Sequence, residues 1–199
     1  NKLLTRKGAK ANPMALQNIK TVLLHTTHPG NIGAAARALK NMAMHQLALV
    51  APKSYPDAQA TARASGADDL LAKAKVYADL PQAIADCHLV LGLSARSRKI
   101  AWPQLDVKSA AELIWKGSAE GQVAVLYGQE RTGLMNEELD RCHYLVQIPA
   151  NPDYPSLNLA AAVQVMSYEI HQASLSASHL EISPAVSADE MERFYQHLE

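Results

Sequence analysis

Apolar residues in this chain come in short bursts, separated by longer stretches where they recur every three or four positions. Residues 19–24 (Ile-Lys-Thr-Val-Leu-Leu) and 46–50 (Gln-Leu-Ala-Leu-Val) are such bursts and read as buried strands. Between them a helix is expected over 32–41, launched by Gly30 and Asn31. The alternation then repeats, with a helix over 57–64, a short strand near Val76 and a helix from Asp79 with Pro81 in its first turn. Further strands are predicted at 89–93, 123–126 and 144–148, and helices at 109–115 and 136–141. Strands alternating with helices predict an α/β fold, a mainly parallel sheet flanked by helices on both faces. In such sheets ligands gather where strands end and loops begin.

The strongest change of pattern lies at 151–164, Asn-Pro-Asp-Tyr-Pro-Ser-Leu-Asn-Leu-Ala-Ala-Ala-Val-Gln. Pro152 and Pro155 forbid helix before Ser156. Leu157, Ala160, Ala161 and Gln164 then begin a helical spacing that continues through Val165, Tyr168 and His171. Ser156 stands where an N-cap is expected, so its hydroxyl and the first free N–H groups face either the chain itself or a ligand. Residues 1–15 carry Lys2, Arg6, Lys7 and Lys10 without periodicity and read as a flexible lead-in. After residue 175 the chain loosens, and 188–197 reads as a short separate helix with Ser187 and Glu190 at its start. The expected organisation is therefore a lead-in (1–15), one domain (16–175) and the start of a further extension (176–199).

Composition narrows this picture. The 199 residues are 48% apolar, enough for one core, and 19 basic side chains balance 19 acidic ones. A nucleic-acid site must then be a local patch rather than a general coat of positive charge. The longest apolar runs are far short of a membrane span and no signal-like pattern opens the chain, so a soluble, cytoplasmic protein without membrane contact is expected. Cys87 and Cys142 are the only cysteines and read as small core side chains rather than a disulfide or zinc pair. His25 and His28 are close in sequence, but no third ligand accompanies them, and no metal is assigned.

Four loops follow predicted strands. The first, 27–37, holds Gly30 and Gly33, which allow close backbone approach, with Asn31 and, six residues later, Arg37 among small alanines. Taken singly, a surface arginine such as Arg37 is more often a solvated side chain. The glycine spacing does not match a dinucleotide fingerprint. The second loop, 93–99, sets Arg96, Arg98 and Lys99 at a strand end, where phosphate is a suitable partner and a solvated basic turn the alternative. The third, 126–134, places Glu130 between Gly128 and Gly133. A central carboxylate does not suit a phosphate cradle; it accepts hydrogen bonds from hydroxyl, amide or basic partners. The fourth is the Pro155-Ser-Leu-Asn158 loop.

Asn31-x-Gly33-x-x-x-Arg37, Gly128-x-Glu130-x-x-Gly133-Leu134 and Ser156-Leu-Asn-Leu-Ala160, in this order and at these separations, resemble the SPOUT superfamily of S-adenosylmethionine-dependent RNA methyltransferases, in its 2′-O-ribose branch. Ser94-Ala-Arg-Ser-Arg98, Trp102-Pro103, Asn136-Glu-Glu-Leu139, Cys142-His-Tyr144 and Asn151-Pro-x-Tyr154 are similar to members that act on cytidine or uridine at position 32 of the tRNA anticodon loop. The resemblance implies a C-terminal trefoil knot and a homodimer, with tRNA as substrate. It further implies that Leu93, Ser94, Ala95, Gly128, Ile148, Pro155, Ser156 and Leu157 enclose S-adenosylmethionine, which leaves as S-adenosylhomocysteine. Arg37 would hold the reacting 2′-oxygen and adjacent phosphate, oriented by Asn31, Glu130, Ser156 and Asn158, while Arg96 and Arg98 would hold RNA backbone. A ribosomal-RNA 2′-O-methyltransferase of the same superfamily and a catalytically silent knotted RNA-binding module remain as rival readings.

Overall fold

The computed structural model describes residues 16–94 and 103–175. Seven strands form one wholly parallel sheet: β1 (Ile19–Leu24), β2 (Gln46–Val50), β3 (Lys75–Tyr77), β4 (Cys87–Leu93), β5 (Gln104–Asp106), β6 (Gln122–Tyr127) and β7 (Tyr144–Gln147). Their spatial order is β3-β2-β1-β6-β4-β7-β5. Among the described residues six helices lie between strands, α1 (Pro29–Asn41), α2 (Ala58–Ala64), α3 (Asp68–Lys73), α4 (Leu80–Ile84), α5 (Val107–Ser118) and α6 (Asn136–Leu139), and α7 (Leu159–Ser174) follows the last strand.

The apolar bursts are explained by burial on both sides. All six residues of β1 are buried, and successive side chains point to opposite faces. Ile19 and Leu23 join α1, α5 and α7 in the larger core, with Ile32, Leu39, Ile114, Val163 and Ile170. Val22 and Leu24 join Leu126, Leu134, Leu139 and Leu145 in the smaller core on the other face. Lys20 breaks the run, yet only 6% of it is exposed. Its ammonium donates to the Ala83 carbonyl (3.0 Å) and to Asp86 (2.6 Å), so the charge is paired rather than stranded. Cys142 is buried and Cys87 half-buried; burial pushes their thiols up to about 12 and about 11, which leaves both unreactive.

Several element boundaries differ from expectation. Helix α1 begins at Pro29, three residues earlier than 32, because proline at the first helical position costs no hydrogen bond. Helix α5 starts at Val107, where the Asp106 carboxylate accepts from the Lys108 and Ser109 N–H groups. The expected cap at Ser156 is wrong. Asn158 caps α7, accepting from Ala160 N–H (2.9 Å) and Ala161 N–H (3.4 Å); Ser156, two residues earlier, precedes the helix altogether. Helix α3 and strand β5 were not anticipated, being too short to show a period. The predicted helix over 188–197 and the lead-in lie outside the described residues.

Strand β7, added after β5 in sequence, sits between β4 and β5. That order is compatible with the implied knot; residues 95–102, which join β4 to β5, lie outside the described residues. No described helix is long and apolar enough to cross a membrane.

Candidate active site

The carboxyl ends of β4, β6 and β7 and the entry to α7 converge on a hollow of about 420 Å³. Leu93 and Ser94 contribute from β4, Tyr127 and Gly128 from β6, and Val146 and Ile148 from the end of β7. The loop after β6 adds Gln129 to Leu134, and the opposite wall is Pro155, Ser156, Leu157, Leu159 and Ala162. Seven of the eight residues implied to enclose a cofactor thus line one space, although up to 64 residues separate them in sequence; the eighth, Ala95, lies outside the described residues, as do Arg96 and Arg98.

The loop after β6 is shaped by two glycines. Gly133 has a left-handed φ of 68°, and its N–H donates to the Gln129 carbonyl (2.8 Å), folding the loop back on itself. Gly128 faces that return: a Cβ there would stand 2.1 Å from the Gly133 carbonyl carbon and 2.2 Å from the Leu134 nitrogen. Only a residue without a side chain lets the two backbone passes approach so closely. The Gln129 side-chain oxygen accepts from the Arg131 and Thr132 N–H groups, each at 3.1 Å, and holds the tip.

Glu130 projects from this loop to the end of β1. One carboxylate oxygen accepts from the Thr27 N–H (3.0 Å) and hydroxyl (2.9 Å); the other accepts from the His28 N–H (3.2 Å) and the Asn31 side-chain amide (2.9 Å). Burial raises the Glu130 pKa, but these donors outweigh it and the carboxyl lies below its ordinary value. Its charge is therefore spent on organising the first turn of α1. Asn31 extends the chain of contacts, its side-chain oxygen accepting from the Asn158 amide at 3.1 Å. Three segments distant in sequence are tied together by Glu130, Asn31 and Asn158.

Arg37 lies two turns further along α1. It is exposed and has no hydrogen-bond or ion-pair partner among the described residues, so it is not held by Asn31, Glu130 or Asn158 in this state. Ser156 is exposed on the hollow's wall and takes no part in that network either. Thr27 and His28, which supply three of the four donors to Glu130, were missed by sequence reasoning; two of these donors are backbone N–H groups, which carry no residue-type signal, and the third is the Thr27 hydroxyl. His25 faces Glu138 at 3.3 Å instead of joining His28. Among the described residues no group of three His, Cys, Asp or Glu side chains is placed to hold a metal ion.

The model of the SpoU rRNA methylase family matches residues 18–168, a span that contains both the hollow and the Glu130 network. This chain belongs to that family. It is 48% identical over 197 residues to the tRNA (cytidine/uridine/adenosine-2′-O-)-methyltransferase TrmJ of Pseudomonas aeruginosa, covering 92% of this chain and 77% of the relative. A probable methylase family protein from Haemophilus influenzae shares its structure with a TM-score of 0.78 at 43% identity, covering 92% of this chain and 78% of that one. The SpoU methyltransferase AviRb of Streptomyces viridochromogenes, solved in complex with AdoMet, shares the fold at 21% identity and a TM-score of 0.63, covering 78% of this chain and 60% of that one. The SpoU family assignment makes this protein a methyltransferase of the SPOUT type.

The hollow fits the family's cofactor on its own geometry. Its volume lies within the roughly 300–1,000 Å³ of small-molecule sites, and aliphatic strand ends beside exposed backbone groups suit an adenine and a neutral ribose.

Proposed function

We propose that this protein is an S-adenosylmethionine-dependent tRNA methyltransferase that modifies the 2′-oxygen of cytidine or uridine at position 32 of the anticodon loop. The observation that carries the reading is the Glu130–Asn31–Asn158 network, which joins the wall of the cofactor hollow to the helix bearing Arg37. The name of the 48% identical relative supports tRNA as the RNA and the 2′-oxygen as the acceptor.

The bound cofactor supplies a methyl group already activated by a sulfonium charge. What the protein must add is alignment, together with help for a weak hydroxyl nucleophile in losing its proton. Gly128 and the Gly133 turn let the loop after β6 fold back tightly on itself, which shapes that wall of the hollow. Leu93, Ile148 and Leu157 exclude water from its faces, and Ser94 and Ser156 offer polar groups at the rim. Arg37 holds the 2′-oxygen and the neighbouring phosphate; a guanidinium is a donor and a poor base, so the proton passes to phosphate or water rather than to Arg37. Asn31 and Asn158, locked by Glu130, orient the ribose. Arg96 and Arg98 are assigned to RNA backbone, and Ala95 to the cofactor, by resemblance.

A homodimer completes the reading. It is supported by the exposed side of α7, where Ala161 and Tyr168 stand seven residues apart at helical spacing.

Arg37→Ala tests the assignment. Methyl transfer to a tRNA transcript should be abolished while S-adenosylhomocysteine affinity, measured by calorimetry, stays near wild type. Near-normal turnover by the variant would remove Arg37 from the mechanism. Wild-type transfer to ribosomal-RNA fragments but not to tRNA, or indifference to the base at position 32, would overturn the substrate.

A further inference from the structure

A second hollow, about 590 Å³, opens on the other side of Asn31 and Asn158. Its floor includes Gly30 and Ala34 of α1, and its far wall is Gln59 and Arg63 of α2. The two helices meet at backbone distance, since a Cβ on Gly33 would stand 1.9 Å from the Ala60 carbonyl oxygen. Gln59 and Arg63, four residues apart, share a face of the helix so positioned. The stem of Arg63 passes over Gly30, its Cγ 3.5 Å from where a Cβ would be.

The chemistry of this space is one-sided. Arg63 is exposed and has no partner among the described residues. No carboxylate lines the hollow; the other polar groups are His28, Asn31, Gln59 and Asn158, and the apolar ones only small alanines. One free cation among neutral donors suits an anion on a polar scaffold. A flat base, which needs an aromatic or broad apolar platform, is not provided for. Asn31 and Asn158 line this hollow and belong to the Glu130 network, so an occupant here lies beside the ribose assigned to them.

We propose that this hollow is an RNA-backbone subsite in which Arg63, assisted by Gln59, grips a phosphate adjacent to the methylated nucleotide. The proposal rests on the tRNA reading above and adds a substrate-binding residue to it. Phosphate contacts set the register of a nucleic acid without reading its bases, and each adds a counterion-release contribution to affinity.

The test is steady-state methyl transfer by the full chain to a tRNA transcript, with RNA varied at saturating S-adenosylmethionine and at several salt concentrations. Arg63→Ala should raise KM for tRNA by about tenfold and flatten the log–log dependence of 1/KM on salt by about one unit, as expected for one lost phosphate contact. Its kcat, S-adenosylhomocysteine affinity and melting temperature should stay near wild type, and Arg63→Lys should restore the salt slope. An unchanged KM and slope, or a loss of kcat or cofactor affinity with KM intact, overturns the subsite. If the wild-type chain binds S-adenosylhomocysteine yet methylates no tRNA, the underlying substrate reading falls and the subsite with it.

Discussion

Glu130→Gln is the sharpest perturbation of the site because it keeps the shape of the side chain and removes only its charge and one acceptor. In the native loop each carboxylate oxygen serves two donors. If the new amide nitrogen replaces the oxygen facing Thr27, the Thr27 hydroxyl can rotate to accept, but the Thr27 N–H loses its acceptor. If it replaces the other oxygen, the His28 N–H is orphaned and the Asn31 amide must turn over, which sets it against the Asn158 amide. The first arrangement is the cheaper. An orphaned backbone donor costs about 1–3 kcal/mol, and because this group is half-buried the lower part of that range applies, about 1.5 kcal/mol. Urea unfolding at pH 7 should show a lower midpoint with an unchanged m-value. Methyl transfer should fall about tenfold, since one orienting interaction of about 1.4 kcal/mol is lost. The pH dependence supplies an independent check. Glu130 has a folded pKa below its unfolded value, so its contribution is complete at neutral pH and fades as pH falls below about 4 through the folded value. The stability gap between wild type and E130Q should therefore close in acid. An unaltered midpoint at pH 7 together with an unaltered rate would show that the carboxylate does not organise this site.

Two other substitutions separate shape from orientation. Gly128→Ala drives a Cβ into the returning backbone at Gly133, which nothing flexible can relieve; it should cost about 3 kcal/mol and weaken S-adenosylhomocysteine binding at least about tenfold by calorimetry, and intact binding would refute the close-approach argument. Asn158 both caps α7 and donates to Asn31, and the two roles can be divided: Asn158→Asp keeps the cap and should retain stability while slowing methyl transfer, whereas Asn158→Ala should also lose about 1 kcal/mol in thermal or urea unfolding. Equal stabilities for the two variants, or full activity in the Asp variant, would contradict that division.

Short-range physics made much of this protein legible from its sequence. The bursts at 19–24 and 46–50 read as buried strands and are strands, and Pro155 set the start of the last helix within a few residues. The spacing of Asn31, Gly33 and Arg37, of Gly128, Glu130 and Gly133, and of Ser156 to Ala160 carried the family resemblance, because those residues act through their own backbone geometry and side-chain chemistry. At the start of the last helix local pattern was not enough: the cap was expected at Ser156, whereas Asn158 caps the helix and also makes the tertiary contact with Asn31. Strand β5 and helix α3, at three and six residues, were too short to leave a period. The strand order β3-β2-β1-β6-β4-β7-β5 belongs to pairing between distant segments and has no local signature. That order brings Glu130 to Thr27 and Asn31, about a hundred residues away in the chain, and Arg63 lines the same hollow as Asn31 and Asn158. The residues capable of chemistry were written in the chain; which of them meet was decided by the long-range closure of the sheet.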